Sequence, residues 1–210
     1  MRIAVGIEYN GAPFHGWQTQ IGVPTVQQSV EEALSRVADH PVRLHCSGRT
    51  DAGVHALCQV AHFVTTARRP AHGWVFGANT HLPADVSLQW AQPVPDDFHA
   101  RFSALERTYR YLVLTGISRP ALLSRRVTWT RRSLDAERMH SAAQILAGTH
   151  DFNAFRALGC QAKSPVRTVT RVQVRPRGGL LELSISANAF LHHMVRNIAG
   201  VLLAVGSGEA

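Results

Sequence analysis

The sequence predicts an α+β fold built from two similar halves, residues 1–104 and 105–210. Two observations carry this prediction. Apolar residues alternate in several short segments, as in half-buried strands, and recur every three or four positions between them, as in amphipathic helices. The order strand, helix, strand, strand, helix, strand fits the first half, and the second half repeats it up to the sixth element. We expect the antiparallel sheets of two such units to join edge to edge or across a cleft.

The first half shows the clearest alternation. Residues 3–9 alternate and end at an Asn-Gly pair, which predicts an opening strand and a turn. Thr25 begins a segment with capping-box spacing, and apolar residues at helical intervals predict a helix that ends before Pro41. The other expected elements are strands at 42–47, 57–64 and 86–90 and a helix over roughly 70–80.

The second half begins with a predicted strand, 107–115, in which Tyr109 and Tyr111 share a face. Ser133 is expected to cap a helix that closes at Gly148. No closing strand follows the last predicted element, and an unpaired sheet edge is a liability, so the second half is expected to be truncated. The remaining predicted elements are strands at 166–175 and 180–187, joined by a Gly-Gly turn, and a helix over 190–206.

The excess of basic residues favours a polyanionic partner. The 210 residues include 22 Lys and Arg against 14 Asp and Glu, a formal net charge of +8, and the sequence pI is about 10.6. Nucleic acid is the first candidate for such a partner. Lys163 is the only lysine. Arginine suits phosphate and stacks on bases, although a general compositional bias toward arginine produces the same pattern.

The cysteines and the apolar runs indicate the cellular compartment. Cys46, Cys58 and Cys160 lack metal-ligand spacing and are expected to be reduced thiols in or near the core. The chain begins with a strand pattern instead of a signal segment, and no apolar run approaches the length of a bilayer span. The expected location is the cytoplasm.

Residues 48–56, Gly-Arg-Thr-Asp-Ala-Gly-Val-His-Ala, are the most informative segment. Two glycines bracket Asp51, and glycine permits a tight turn and the close approach of another molecule. Arg49 favours the ionised form of the carboxylate. An ionised carboxylate on a rigid turn can act as a nucleophile. The structural alternative is an ordinary turn between strands, because turns favour the same residues.

Aromatic residues and arginines occur together in three other segments. Trp17 lies between Gly16 and Gln18 in a loop, where it could contact nucleic acid or serve as a structural residue. Segments 98–104 and 107–111 interleave aromatics with arginines, including Arg101 and Arg110. That combination suits neutralisation of phosphates and stacking of bases, although aromatic strands also build cores.

The start of the last predicted helix contains two histidines and an arginine. His192 and Arg196 are four residues apart and share a face. His192 and His193 are adjacent and point in different directions, so they make a poor chelate and no metal site is predicted. An arginine that is at least half-buried on an apolar helix needs a carboxylate, and Asp51 is the obvious partner.

Together these segments resemble the TruA family of tRNA pseudouridine synthases, which isomerise uridines in the anticodon arm of tRNA. The resemblance extends over essentially the whole chain, and the block around Asp51 is its most specific part. The segments that carry it are 9–11 with 16–20, 48–55, 98–101, 107–111 and 190–197.

The resemblance implies two ferredoxin-like halves that share an antiparallel sheet around a central cleft, in a homodimer. It implies that Asp51 is the catalytic aspartate, that Tyr109 stacks on the target base and that Arg196 pairs with Asp51. The implied targets are uridines 38–40 of the tRNA, and no cofactor is needed because nothing is oxidised and no group is gained. The other expected substrate-binding residues are Arg49, Arg101, Arg110, Trp17 and His192.

Family members continue for several dozen residues beyond the point where this sequence stops, through a helix and a closing strand. Two alternatives therefore stay open. One is an RNA-binding module of the same architecture without catalysis, which the presence of Asp51, Tyr109 and Arg196 argues against. The other is an unrelated hydrolase with a carboxylate nucleophile and a small-molecule substrate, which leaves the basic charge unexplained.

Overall fold

A computed structural model describes residues 1–210 and divides the chain into two compact units. Unit 1 is Met1–Ala104 and unit 2 is Leu105–Ala210. Both units combine helices with a β-sheet, so the protein is a mixed α+β protein, as the sequence predicts. None of the helices has the length and apolar character that crossing a lipid bilayer requires.

Unit 1 has four strands and two helices in the predicted order. Apolar side chains on alternate positions of the first strand, such as Ile3 and Val5, are fully buried, as the alternation predicts. The elements are β1 Arg2–Tyr9, α1 Val26–Ala38, β2 His45–Cys46, β3 Ala56–Val64, α2 Ala71–Asn79 and β4 Val86–Val94.

The sheet of unit 1 is antiparallel throughout and has the order β2-β3-β1-β4. Strand β1 therefore lies between β3 and β4 in the middle of the sheet. Its apolar face contributes to one core with residues of both helices, including Leu34 of α1 and Trp74 of α2. The loops that follow β1 and β2 therefore begin at strands of a sheet that packs on this core.

Two local predictions for unit 1 are wrong. The expected strand over 42–47 shortens to β2, because the Val42 and Leu44 N–H groups donate to the side chains of Ser35 and Glu31 in α1, at 2.9 and 2.8 Å, instead of entering the sheet. The Thr25 side chain also makes no capping bond to α1, so the expected capping box does not form.

Unit 2 has five strands, two α-helices and a short 3-10 helix. The strand pair joined by Gly178 and Gly179 is present as predicted, and both glycines have positive φ. The elements are β5 Arg107–Thr115, β6 Thr128–Thr130, α3 Ala136–Gln144, β7 Gly148–Asp151, the 3-10 helix Asn153–Phe155, β8 Val166–Arg177, β9 Leu180–Ala187 and α4 Met194–Ser207.

The sheet of unit 2 has the order β6-β5-β9-β8-β7. Strand β5 pairs antiparallel with β9 and parallel with β6, so the expectation of a purely antiparallel sheet is wrong at this edge. One face of the sheet packs with α3 and α4, and its core includes Val113, Leu183, Met139 and Ile198.

The helix boundaries in unit 2 differ from the sequence prediction for local reasons. Asp135, not Ser133, caps α3, and its carboxylate accepts from the Glu137 and Arg138 N–H groups at 2.9 and 3.0 Å. Gly148 does not close α3 but opens β7, with φ of +101°. Helix α4 starts four residues later than predicted, because His193 has a left-handed backbone.

Candidate active site

Asp51 lies in a loop, residues 47–55, that connects β2 to β3. Residues 51–54 form a β-turn in which the Val54 N–H donates to the Asp51 carbonyl oxygen at 3.1 Å. Gly53 is the third residue of this turn and has φ of +77°, a value that glycine adopts without steric cost. The turn places the carboxylate of Asp51 at a fixed point of unit 1.

Thr50 fixes this loop from the side of β1. Its hydroxyl group lies 2.7 Å from the Tyr9 hydroxyl, and its carbonyl oxygen accepts from the Trp17 N–H at 3.0 Å. Gly16 has φ of +90° and lies so close that a Cβ atom would stand 2.8 Å from the Thr50 carbonyl oxygen. The loop after β1 therefore packs directly against the residue before Asp51.

A second contact fixes the other end of the turn. A Cβ atom on Gly11 would stand 2.0 Å from the Val54 carbonyl oxygen, so only glycine fits at this position. The Gly11 N–H donates to His55 Nδ1 at 3.1 Å. This bond requires an unprotonated Nδ1, so the neutral His55 ring carries its proton on Nε2. Gly11 and Gly16 are thus explained by close approach to the Asp51 loop.

Sequence reasoning missed the residue that fixes the start of the loop, Gln59 of β3. Its side-chain amide donates to the Gly48 carbonyl oxygen at 2.5 Å and accepts from the Ser47 hydroxyl at 2.8 Å. Gln59 is only 7% exposed. A glutamine among the apolar residues of a strand is the signal that could have identified it, because buried amides need hydrogen-bond partners.

Arg49 and Trp17 differ in exposure. Arg49 is exposed next to Asp51 in the chain, and its contact with substrate stays a prediction. Trp17 is 1% exposed and packs in the core of unit 1 near Tyr9. Its buried indole offers no surface to an RNA base, so the expected substrate contact is corrected to support of the Asp51 loop through the backbone bond to Thr50.

Arg101 is exposed in the segment after β4, where its guanidinium lies 5.6 Å from the centre of the Phe102 ring. The same segment packs on His62, which accepts a hydrogen bond from the Ala100 N–H at 3.2 Å. Burial, together with His99, His45 and Arg2 nearby, lowers the pKa of His62 to about 4. The segment that contains Arg101 therefore packs on a buried imidazole that is neutral at pH 7.

Tyr109 and Arg110 point to opposite faces of β5 in unit 2. The Tyr109 ring is half-buried and meets the Phe190 ring edge-to-face, with ring centres 4.9 Å apart. Arg110 is exposed, on the face that also carries Glu182. An anchored aromatic ring that is partly exposed is a suitable platform for a base.

His192 and Arg196 flank the start of α4, and both are exposed. The exposure of Arg196 corrects the expectation of a buried or half-buried cation, and the large penalty for breaking a buried ion pair does not apply to it. Asp51 belongs to unit 1 and Arg196 to unit 2, and the ion pair between them stays a prediction.

The three cysteines are unpaired, as the sequence predicts, but the expectation that all three lie in or near the core is wrong for the exposed Cys58. Burial raises the pKa of Cys46 to about 11, and Cys58 is exposed. Burial alone would also raise the pKa of Cys160, but hydrogen bonds from the His192 and Ala162 N–H groups and the Arg156 guanidinium outweigh it and lower this pKa.

Comparison with known proteins identifies the family. The family model described as tRNA pseudouridine synthase matches residues 6–103 and 142–210. The chain is 57% identical over 209 residues to a tRNA pseudouridine synthase A of Pseudomonas aeruginosa, a match that covers 99% of this chain and 73% of the relative. It is 55% identical over 208 residues to the enzyme of that name from Coxiella burnetii (99% and 80% covered) and 56% over 209 residues to that from Nitrosococcus oceani (100% and 81%).

The chain therefore belongs to the tRNA pseudouridine synthase family. Pseudouridine synthases rearrange a nucleoside without adding or removing atoms, so the protein is an enzyme of the isomerase class. The resemblance read from the sequence segments is confirmed.

Proposed function

We propose that this protein converts uridines of the anticodon arm of tRNA, at positions 38–40, to pseudouridine, with Asp51 as the catalytic carboxylate and no cofactor. The observation that carries this proposal is the construction of the Asp51 loop. Backbone or side-chain contacts from Tyr9, Gly11, Gly16 and Gln59 fix it on both sides. Such rigid placement is what a group that must meet a reacting atom requires.

The reaction explains why a single carboxylate suffices. The bond between C1′ of the ribose and N1 of uracil breaks, the base rotates, and C1′ bonds to C5 instead. The proton on C5 is lost and N1 gains one, so atoms and electrons balance without an oxidant or a second substrate. Asp51 either adds to the base or acts at the sugar while the glycosidic bond is broken.

The target base must leave its stack to reach a protein carboxylate. We assign Tyr109 to the face of the flipped base, because its ring is held by Phe190 and remains partly exposed. The exposed cations Arg49, Arg101 and Arg110 are assigned to the RNA backbone, since arginine matches phosphate geometry. The exposed imidazole of His192 is assigned to the substrate as well.

The ion pair between Arg196 and Asp51 is part of the proposal and rests on the family resemblance. We further propose that each of the two units is a ferredoxin-like half. The element order of unit 1 and its strand order β2-β3-β1-β4 support this proposal for that unit. We also propose that the protein is a homodimer and that it acts in the cytoplasm, where tRNA is processed.

Release of tritium tests the proposed substrate. A tRNA transcript labelled with tritium at C5 of uridine should lose the label to water only at converted positions. We expect release from the intact transcript and none from a transcript in which uridines 38–40 are replaced by cytidine. Equal release from both transcripts would show that the targets lie elsewhere, and no release from either would refute the activity on tRNA.

A further inference from the structure

The start of α4 contains a residue in an unfavourable backbone conformation. His193 has φ of +60° and ψ of 7°, in the left-handed region that residues with a Cβ atom rarely adopt. Its side chain makes no capping bond to the helix. Such conformations persist only where the surrounding structure fixes them, and they occur preferentially at functional sites.

A neighbouring segment of unit 2 supplies this constraint. We call residues 155–162 the brace loop. Both backbone polar groups of His192 bond to it: its N–H donates to Cys160 Sγ at 3.4 Å, and its carbonyl oxygen accepts from the Ala157 N–H at 3.1 Å. His192, the residue before the left-handed one, is therefore held through both of its backbone polar groups.

The brace loop also holds the first turn of the helix. The Asn197 side chain donates to the Phe155 carbonyl oxygen at 3.0 Å, while its backbone N–H donates to the His193 carbonyl oxygen at 3.0 Å. Arg196 lies in this turn. The direction in which Arg196 leaves the helix is thus set by contacts on either side of His193.

Arg156 closes the brace loop. Its guanidinium donates from Nη2 to the carbonyl oxygens of Cys160 and Ala162, at 2.6 and 2.8 Å. A tight turn precedes these carbonyl groups in the chain. In this turn Gly159 has positive φ, and the Cys160 N–H donates to the Ala157 carbonyl oxygen. Without the guanidinium, two carbonyl oxygens of the loop would lose their donor, and Cys160 Sγ would no longer be held against His192.

We propose that Arg156 is a positioning residue for pseudouridine formation: through the brace loop and Cys160 it fixes His192 and the first turn of α4, and so the placement of Arg196. This proposal rests on the assignment of His192 and Arg196 to the active site made above. Arg156 touches no reacting atom in this scheme and acts through the backbone that it orders.

Rate measurements with three variants test the proposal. Arg156→Gln should lower the single-turnover rate of pseudouridine formation by about tenfold to a hundredfold, because small misplacements of catalytic groups have effects of that size. Arg156→Lys should recover part of the rate. Arg167→Gln is the matched control, because that guanidinium also donates to two backbone carbonyls, of Ser164 and Val166, outside the brace loop. Its rate should stay within about twofold of the wild type.

Coupling to Cys160 separates positioning from general loss of structure. If Arg156 acts through Cys160, the double variant Arg156→Gln/Cys160→Ala should be no slower than the slower single variant. Rate penalties that multiply would overturn the proposal. So would an Arg156→Gln rate equal to that of the wild type, or a Tm loss in Arg156→Gln that Arg156→Lys repairs without any recovery of rate.

Thiol alkylation provides a readout that does not depend on activity. Iodoacetamide modification of Cys160, followed by peptide mass spectrometry across pH, should shift to higher pH in Arg156→Gln and stay unchanged in Arg167→Gln. An unchanged profile in Arg156→Gln would refute closure of the loop by this residue. This readout needs no tRNA. It therefore tests whether Arg156 closes the brace loop even if the proposed activity on tRNA is refuted.

Discussion

The hydroxyl groups of Tyr9 and Thr50 lie 2.7 Å apart, which ties the end of β1 to the residue immediately before Asp51. Tyr9 is 3% exposed and its ring belongs to the core of unit 1. The position of Thr50 therefore depends on the core through this hydrogen bond and the neighbouring backbone bond from Trp17.

Tyr9→Phe should remove this hydrogen bond and leave the packing of the ring intact. A bond of this kind contributes about 0.5–1.5 kcal/mol, so the single-turnover rate should fall by up to roughly tenfold if the bond orients Asp51. Affinity for tRNA, measured by filter binding, should stay near the wild-type value. Tyr111→Phe is the matched control, since it removes a hydrogen bond from Thr128 of the same length, 2.7 Å, in unit 2. Equal rates for the two variants would contradict the orienting role.

Asp51→Asn should abolish most of the activity while it preserves the shape of the side chain. General acid–base catalysis contributes about a hundredfold to ten-thousandfold, and loss of a nucleophile has an effect at least as large. Binding of tRNA should largely survive, because phosphate contacts dominate affinity. Asp85→Asn controls for the substitution itself, since Asp85 accepts from Asn10 at 2.6 Å near the same loop. Tritium release by Asp51→Asn within tenfold of the wild type would refute the catalytic assignment.

The sequence predicts the elements of this fold well where alternation or helical periodicity is strong, as in β1, β3, β5 and β9. It predicts boundaries poorly where side chains compete for the backbone. Glu31 and Ser35 take the N–H groups of Leu44 and Val42 away from the sheet, and Asp135 caps α3 in place of Ser133. Hydrogen bonds from side chains to the backbone, whether to another element or within a cap, cannot be read from the spacing of apolar residues.

The candidate site shows the same division. Its chemistry-bearing residues, such as Asp51 and Tyr109, could be selected from motifs alone. The residues that hold them could not, because their bonds are visible only in the folded chain: Gln59 bonds to the Gly48 carbonyl oxygen, Thr50 to the Tyr9 hydroxyl and Arg156 to the Cys160 carbonyl oxygen. A motif also cannot separate a base-contacting tryptophan from a core residue, and burial decides this for Trp17.

The affinity for tRNA should fall steeply with salt, because the net charge of +8 and the exposed arginines favour a phosphate-dominated interface. For six to ten phosphate contacts, the affinity falls by roughly a factor of 10³–10⁵ between 50 and 200 mM salt. Arg101→Gln and Arg110→Gln should each lower the slope of log K against log salt by about one. Arg43→Gln, which removes an exposed arginine paired with Glu31, should leave the slope unchanged. A titration that is flat over this range would exclude the phosphate-dominated interface.

Glu182→Gln should destabilise unit 2. Glu182 is 1% exposed and bonds to Arg175 at 3.1 Å and Arg177 at 2.5 Å. Burial alone would raise its pKa, but the two guanidinium groups outweigh this effect and lower it. Loss of the charge should therefore reduce the free energy of unfolding by about 1–3 kcal/mol. The same stabilisation should disappear in the wild type as pH falls below about 4.5, through the lowered pKa.

Urea unfolding at neutral pH measures this effect. Glu209→Gln is the control, because Glu209 pairs with Arg132 where both side chains are exposed, and such pairs contribute only about 0–1 kcal/mol. If Glu182→Gln is no less stable than Glu209→Gln, the buried carboxylate does not stabilise the unit.

His62 should make the folded protein sensitive to mild acid. Its pKa is lowered to about 4 by burial and by His99, His45 and Arg2, against an ordinary value of 6.5. Between these two values the unfolded chain binds a proton at this position that the folded chain does not, so the free energy of unfolding falls as pH is lowered from 6.5 toward 4. Each pKa unit corresponds to about 1.4 kcal/mol.

His62→Asn keeps an acceptor for the Ala100 N–H but cannot titrate, so its free energy of unfolding should fall less over this range than that of the wild type. Between pH 7 and 4.5, the wild type should lose about 1–3 kcal/mol more unfolding free energy than His62→Asn. Urea unfolding at pH 7, 5.5 and 4.5 measures both losses. His72→Asn, which replaces an exposed histidine of α2, should keep the wild-type slope. If all three proteins lose stability in parallel, the acid sensitivity arises elsewhere in the chain.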